Sequence, residues 1–164
     1  MSHTFKQSLF NLVLFDSFDV GGDNAETFYR VAREKYPWLN MTYLISRNCP
    51  DWNRLKNDGF RLYPIDGEDI GEIFKNASYI LWSKDTSLFK HLYANKKKSI
   101  FLSHGRTSLM YDCSKYYKDR LCKCSSYVSC TSSEEANVVS AYTDGRLTTL
   151  VTGFPRHDLV LSKS

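Results

Sequence analysis

The 164-residue sequence predicts a single α/β domain with a mainly parallel β-sheet and helices on both of its faces. Short apolar runs of strand character alternate along the whole chain with segments that repeat apolar residues at helical spacing. The first unit is a strand, a glycine-containing loop and a capped helix, which is how a doubly wound sheet usually begins. Neither a linker-like stretch nor an internal repeat divides the chain, so we expect one domain.

Strands are predicted at apolar, β-prone runs that end at turn residues. The predicted strands are residues 9–15, 41–46, 60–65, 79–82, 99–102, 127–130 and 147–151. Helices are predicted where apolar residues recur with a period near 3.6 residues. The predicted helices are residues 24–35, 52–57, a segment that begins near 69, 86–95, 116–121 and a segment that begins after 132. Residues 106–112 have no clear period and are predicted to form a loop over the carboxyl edge of the sheet.

Two of these helices begin with the residues of a capping box. Asp23 is followed three residues later by Glu26, and Ser132 is followed by Glu135. Two glycines, Gly21 and Gly22, precede the first box and resemble a phosphate-binding loop only weakly. A third glycine and a Gly-Lys-Ser/Thr sequence are both missing, so neither nucleotide-binding fingerprint is met.

Composition excludes several classes of protein. The net charge of +4 is mild and the basic residues are mostly scattered among acidic ones, so nucleic acid is not an expected partner. No apolar run approaches the ~20 residues that span a bilayer, and the first eight residues lack signal-peptide character, so we expect a cytoplasmic protein. Lys96, Lys97 and Lys98 form the one basic cluster, which indicates a solvated turn or, alternatively, a contact with an anionic membrane surface.

The five cysteines do not form a recognisable metal site. They are an odd number in a compartment expected to be reducing, so free thiols are predicted. Cys122 and Cys124 lack the two-residue spacer of a zinc knuckle, and no paired Cys/His motif follows them. We therefore expect neither a metal nor a cofactor.

The strand at residues 99–102 leads, through Ser103, to His104 and Gly105. The carboxyl ends of parallel strands form the crevice where open α/β sheets bind ligands. A histidine delivered there can exchange protons near neutral pH, and a glycine after it lets the backbone turn or approach a ligand closely. The alternative is a buried histidine that is hydrogen-bonded at the end of its strand.

Five motifs in order resemble segments of the CDP-glycerol glycerophosphotransferases of bacterial teichoic acid and capsule synthesis. They are 22–26 (GDNAE), 46–52 (SRNCPDW), 101–105 (FLSHG), 131–134 (TSSE) and 152–158 (TGFPRHD). The resemblance extends over residues 16–161, and the Gly-Phe-Pro-Arg-x-Asp ending is its most specific part.

The resemblance implies the two-domain GT-B architecture, in which a cleft separates two Rossmann-like halves. Residues 1–164 would be the N-terminal, acceptor-side half, and the donor-binding C-terminal half would lie outside this chain. The implied donor is CDP-glycerol or a related CDP-polyol, and the implied acceptor is a growing polymer or a lipid-linked molecule. Such an enzyme works in the cytoplasm, and a peripheral contact with the inner face of the membrane is part of this expectation.

The resemblance also implies roles for individual residues. His104 would be the catalytic base that activates the acceptor hydroxyl, since a hydroxyl is a poor nucleophile at neutral pH. The residues implied to bind substrate are Asp23, Asn24, Gly105, Arg106, Arg156 and Asp158. Many members of the family follow the His-Gly pair with Thr-Pro and then a lysine, whereas this chain has Arg-Thr-Ser-Leu-Met, so Arg106 would replace that basic group.

Structural roles compete with several of these assignments. Helix capping explains Asp23 and Asn24. Asp158 could pair with Arg156 or orient a histidine, and the structural alternative is that it caps the turn after Pro155. For the whole chain, two functions remain open: half of a transferase that needs a second domain for activity, or a non-catalytic remnant that binds the acceptor or a partner. A small stand-alone hydrolase is disfavoured because no Gly-x-Ser-x-Gly elbow is present.

Overall fold

The computed structural model describes residues 10–84, 87–103 and 114–161, with side chains described as far as residue 158. The strands are β1 (Asn11–Phe15), β2 (Asn40–Ile45), β3 (Leu62–Pro64), β4 (Tyr79–Trp82), β5 (Ser99–Phe101), β6 (Tyr127–Cys130) and β7 (Thr148–Val151). They form one sheet in the order β3-β2-β1-β4-β5-β6-β7, and every neighbouring pair is parallel. The predicted Rossmann-like α/β fold is confirmed, and the sheet is parallel throughout the described residues.

The described residues contain eight α-helical segments, of which the last follows β7. They are α1 (Asn24–Lys35), α2 (Trp52–Asn57), α3 (Ile70–Asn76), α4 (Phe89–Ala94), α5 (Ser114–Tyr116), α6 (Cys122–Cys124), α7 (Ser133–Thr143) and α8 (Pro155–Leu161). A 3₁₀ turn at Lys96–Lys98 precedes β5, and a π-helical segment at Tyr117–Leu121 joins α5 to α6.

Both faces of the sheet are buried by packed side chains. Consecutive β1 side chains point to opposite faces and so enter different clusters. Leu14 packs on the face that holds Tyr29 of α1, whereas Phe15 packs on the face that holds Phe74 of α3. The chain winds from β1 outward to β3 on one side and then crosses to β4 on the other. The reversal puts a topological switch point between β1 and β4, where sheets of this kind bind their ligands.

A buried indole fixes β5 beside β4. The fully buried side chain of Trp82 donates from Nε1 to the hydroxyl oxygens of Ser99, at 2.9 Å, and Ser125, at 3.1 Å. Since a buried N–H without a partner would destabilise the fold, these serines satisfy the indole and set the position of the strand that leads to His104.

Most element bounds agree with the sequence-based prediction to within two or three residues, and α8 is the main difference. No helix was expected in the 152–158 motif, yet a helix begins at Pro155, a residue well suited to the first position of a helix. The predicted loop at residues 106–112 lies outside the described residues.

None of the described helices combines the length and the apolar composition that crossing a bilayer requires, and the longest of them, α1, has 12 residues.

Candidate functional site

The described residues predicted to form the site lie at the carboxyl edge of the sheet. We define this edge as the segments that follow β1, β4, β5 and β7, namely residues 16–23, 83–84, 102–103 and 152–158. Asp23 and Asn24 stand at the start of α1, and Arg156 and Asp158 stand in the first turn of α8. His104, Gly105 and Arg106 lie outside the described residues, and Ser103 is the last residue before them.

Asn24 joins three segments of this edge. Its side chain is fully buried, and its Nδ2 donates to the carbonyl oxygen of Ser103 at 2.6 Å. Its Oδ1 accepts from the backbone N–H of Arg156 at 3.0 Å. The start of α1, the end of the β5 segment and the start of α8 are therefore tied to one carboxamide, and Asn24 acts as a positioning residue. A direct contact between Asn24 and a substrate stays a prediction.

Asp23 caps α1 and also pairs with two cations. Its Oδ1 accepts from the N–H of Asn24 at 3.0 Å and from Nη1 of Arg156 at 3.1 Å. Its Oδ2 lies 3.9 Å from Nζ of Lys84, a residue that follows β4. The predicted capping role of Asp23 is confirmed, and Asp23 is also an acidic partner of Arg156, which lies 133 residues away in the chain.

Asp16 is a central residue of this edge that the sequence analysis did not identify. Its buried carboxylate follows β1 and accepts hydrogen bonds from four donors: the N–H groups of Ala25 and Glu26 at 2.8 and 2.9 Å, the hydroxyl of Tyr43 at 2.8 Å, and the hydroxyl of Ser83. Burial raises the pKa of Asp16, although each of these hydrogen bonds acts to lower it. An acidic residue directly after a buried strand was the signal in the sequence that could have pointed to it.

The first turn of α1 is not an anion-binding site in this structure. Its first four N–H groups all donate to internal acceptors: Asn24 to the Asp23 carboxylate, Ala25 and Glu26 to Asp16, and Thr27 to the carbonyl of Asp23. A phosphate bound there would have to displace the Asp16 carboxylate. Gly21 and Gly22 therefore form a turn before a helix that the protein caps itself.

The capping box predicted at this helix is only half correct. Glu26 does not return to the cap; its carboxylate pairs with Arg30 at 2.7 Å and with Arg54 of α2 at 2.8 Å. Burial alone would raise the pKa of Glu26, but the hydrogen bonds from Arg54 and Arg30 outweigh it and hold the pKa below its usual value. The box at α7 is confirmed in its first part, since Ser132 Oγ accepts from the N–H of Glu135 at 3.2 Å.

The backbone at Ser103 has an unusual conformation. Its φ of 52° lies in the left-handed region, which residues with a side chain seldom adopt, and Ser103 is almost completely buried. Such conformations persist where the surroundings hold them, and they are frequent at functional sites. The hydrogen bond from Asn24 is one contact that holds Ser103, the residue that precedes His104.

Gly153 provides the turn from β7 into α8. Its φ of 74° favours glycine, and its N–H donates to the carbonyl of Cys130 at 3.0 Å. Asp158 and His157 are both exposed on the helix that follows. The turn directs the start of α8 back to α1, where Arg156 meets Asp23 and Asn24.

The four described cysteines are buried free thiols: Cys49, Cys122, Cys124 and Cys130. Burial raises the pKa of Cys130 to about 11 and also raises that of Cys122, which makes both thiols poor nucleophiles. Within the described ranges, no three His, Cys, Asp or Glu side chains are grouped so that they could hold a metal ion.

Comparison of the chain with protein-family models gives no match, and a search of curated proteins gives none of significance.

Proposed function

We propose that this chain is the acceptor-side, Rossmann-like half of a GT-B transferase of the CDP-glycerol glycerophosphotransferase type. In this proposal a polyol phosphate passes from a CDP-polyol donor to a growing teichoic acid or capsule polymer, or to a lipid-linked acceptor. The donor is held mainly by a second domain, so the isolated chain is not expected to be active.

One observation carries the proposal: segments from three of the five family-like motifs meet at the carboxyl edge. The motifs at 22–26, 101–105 and 152–158 are far apart in sequence, yet Asn24 of the first bonds to Ser103 of the second and to Arg156 of the third. An edge next to the switch point is where a sheet of this order binds its ligands. The resemblance and the fold therefore point to the same region of the chain.

The proposed reaction needs a base and a group that stabilises negative charge. The acceptor oxygen forms a new bond to the donor phosphorus next to the polyol while the bond from that phosphorus to CMP breaks. The acceptor proton passes to His104, and CMP leaves with the electron pair of the broken bond. The cationic side chain of Arg106 would stabilise the charge that develops on the phosphoryl oxygens, and Arg156 is the second cation proposed to bind substrate at this edge.

The second candidate is a non-catalytic remnant that keeps acceptor or partner binding. It is favoured by the number of polar groups at the edge that the fold itself uses. Both ends of the Asn24 carboxamide and the Asp23 carboxylate make intramolecular bonds, which a scaffold would keep without any catalysis. The transferase half and a remnant that binds the acceptor share acceptor binding, whereas turnover belongs only to the first candidate.

A peripheral membrane contact is proposed for the opposite, amino edge of the sheet. Tyr36 and Trp38 are exposed between α1 and β2, with their rings 5.4 Å apart. Lys35, Lys75 and Lys97 are exposed close to the beginnings of β2, β4 and β5, which lie at this same edge. Aromatic side chains favour the membrane interface, and each lysine near an anionic bilayer contributes about 1 kcal/mol.

Sedimentation with vesicles tests this contact. We expect the chain to bind phosphatidylglycerol vesicles, to bind phosphatidylcholine vesicles much less, and to be released by salt. Trp38→Ser and Lys97→Gln should both weaken binding, whereas Arg47→Gln, which removes an exposed charge just after the carboxyl end of β2, should not. Equal binding by Trp38→Ser, Lys97→Gln and the unsubstituted chain would contradict the contact.

The function itself is tested by binding of the two substrates to the isolated chain. We expect a short glycerol phosphate oligomer to shift the backbone NMR signals of Gly22, Asn24, Ser103 and Arg156, and CDP-glycerol to bind weakly or not at all in calorimetry. Tight, stoichiometric binding of CDP-glycerol would overturn the assignment to the acceptor side. If the oligomer did not bind, the transferase half and the acceptor-binding remnant would both be wrong.

A further inference from the structure

We propose that Lys84 and Arg156, on either side of Asp23, bind a phosphate group of the acceptor. This inference rests on the proposed function and adds to it a residue, Lys84, that the sequence motifs do not include. Both cations lie within 4 Å of the same carboxylate, Arg156 Nη1 at 3.1 Å from Oδ1 and Lys84 Nζ at 3.9 Å from Oδ2.

The group lies at the topological switch point of the sheet. Lys84 is the second residue after β4, and Asp23 ends the segment that leads from β1 to α1. Next to them, the buried hydroxyl of Ser83 donates to Asp16 and links the segments that follow β1 and β4. The buried polar contact therefore lies at the switch point, and we call the charged side chains of Asp23, Lys84 and Arg156 beside it the rim of the crevice.

The exposed parts of this group belong mainly to its two cations. The Asp23 side chain is only 11% exposed, whereas those of Arg156 and Lys84 are 37% and 44% exposed. The covered carboxylate holds the two cations in place, and more than a third of each cationic side chain faces solvent, where an anion can approach it.

A phosphate at this crevice has to be held by side chains. The N–H groups in the first turn of α1, which bind phosphate in many sheets of this type, already donate to Asp16 and Asp23. Arginine offers two parallel N–H donors to phosphate oxygens, and lysine adds a point charge on a flexible stem. Arg156 and Lys84 supply this combination at the crevice.

The site also lies beside the residue that precedes the proposed base. Ser103 accepts from Asn24, and Asn24 in turn accepts from the backbone of Arg156. A phosphate on this rim would bring the attached polyol to the end of the β5 segment. The acceptor, whose hydroxyl is the attacking group, therefore fits this site better than the donor does.

The test is NMR titration of the chain with glycerol 3-phosphate and with inorganic phosphate. We expect Lys84→Gln to weaken the binding of glycerol 3-phosphate roughly three- to tenfold, as suits a charge-assisted contact that is partly exposed. Lys84→Arg should bind within about twofold of the unsubstituted chain. Lys90→Gln removes an exposed lysine of α4 that is not at the crevice, so it should have no effect.

The outcomes separate this site from the proposed function. If Lys84→Gln binds glycerol 3-phosphate as tightly as the unsubstituted chain, the site is wrong and the function stands. If Lys84→Gln weakens only the binding of CDP-glycerol, the phosphate belongs to the donor and the proposal is again wrong. If glycerol phosphate oligomers bind but glycerol 3-phosphate and inorganic phosphate do not, the phosphate site is wrong and the proposed function stands.

Discussion

Asn24 connects parts of the chain that are 79 and 132 residues away, through one buried carboxamide. Its NH₂ group meets the carbonyl of Ser103, and its carbonyl oxygen meets the N–H of Arg156. An amide side chain offers a donor and an acceptor on two separate atoms, so it can bond to two segments at once. At the residue scale, this explains why an asparagine stands at the first position of α1.

Asn24→Asp is the sharpest test of this role because it preserves size. The carboxylate can still accept from Arg156, but it places a negative oxygen against the Ser103 carbonyl and removes the donor. We expect a loss of about 2–3 kcal/mol in the free energy of unfolding, measured in urea at pH 7. Asn53→Asp, on the exposed side of α2, should change it by less than about 0.5 kcal/mol. Equal stability of the Asn24→Asp and Asn53→Asp variants would contradict the role of the carboxamide.

At the same scale, the sequence predicted that Asp23 caps α1 but did not predict that Asp16 accepts two N–H groups of its first turn. Asp23 was predicted to cap because Asp is favoured at that position, and this preference is local. The contribution of Asp16 depends on the β1 strand ending beside the first turn of α1, which is a tertiary fact. The charged partners of Asp23, which lie after β4 and in α8, also come close to it only in the tertiary structure.

At the element scale, Glu26 holds α1 against α2. Its carboxylate takes Arg54 from α2 as well as Arg30 from its own helix, and Arg30 continues to Asp58 at the end of α2 at 2.6 Å. Asp51, which pairs with Arg54 at 2.7 Å, brings to five the residues of α1, α2 and the caps of α2 that form one ion-pair network. The spacing of Asp23 and Glu26 predicted a capping box because the sequence could not indicate that Arg54 would lie within reach.

Glu26 makes the stability of the α1–α2 pair depend on pH. Because its pKa is lower in the folded state, its contribution is complete above its ordinary pKa and is lost as the pH falls through the lowered value. We expect Glu26→Gln to remove about 1–2 kcal/mol at pH 7, after allowance for the partial exposure of both arginines. The difference from the unsubstituted chain should shrink in urea titrations at progressively lower pH.

Glu72→Gln provides the comparison for this pH series. Glu72 forms an exposed pair with Lys75 at 3.5 Å, so its substitution should have little effect at any pH. A Glu26→Gln variant whose deficit stays constant down to acid pH would contradict the ion-pair network as the source of stability.

Alanine substitutions at Gly153 and Gly71 are predicted to change the stability in opposite directions. Gly153→Ala forces an alanine into a φ of 74° and should reduce the stability by about 1 kcal/mol. Gly71→Ala lies inside α3, where the new Cβ meets only an ordinary contact at 3.8 Å, and should increase it by about 0.5 kcal/mol. Thermal unfolding of the two variants checks both signs, and a stabilising Gly153→Ala would show that the turn into α8 is not constrained.

Two helical segments differ from the sequence-based prediction, and both involve contacts within the tertiary structure. α8 lies in a segment that was interpreted only as a motif, and it is held through Arg156 by partners at the start of α1. The π-helical segment Tyr117–Leu121 occurs where a short regular helix was predicted, and both its ends, Tyr117 and Leu121, are buried. Contacts of this kind come from the tertiary structure and leave no periodic pattern in the sequence.

On the scale of the whole molecule, the fold class was predictable and the site was predictable only in outline. Apolar strand runs that alternate with amphipathic helices favour a parallel sheet, and the sheet has the order of a doubly wound fold. That order brings the ends of β1, β4 and β5 to one edge, which the positions of Asp23 and Asn24 had suggested. The arrangement of charges on that edge, with Lys84 and Arg156 around Asp23, depends on side-chain contacts that only the structure gives.

The central claim is that this edge serves the transfer of a polyol phosphate with His104 as the base, and CMP release tests it most directly. The measurement uses the chain joined to a CDP-glycerol-binding domain and supplied with a glycerol phosphate acceptor. We predict that His104→Ala lowers turnover by roughly 10²–10⁴-fold with little change in melting temperature, and that His157→Ala, at an exposed position, changes neither. Normal turnover per folded His104→Ala molecule, or no CMP release by the unsubstituted protein, would contradict the claim.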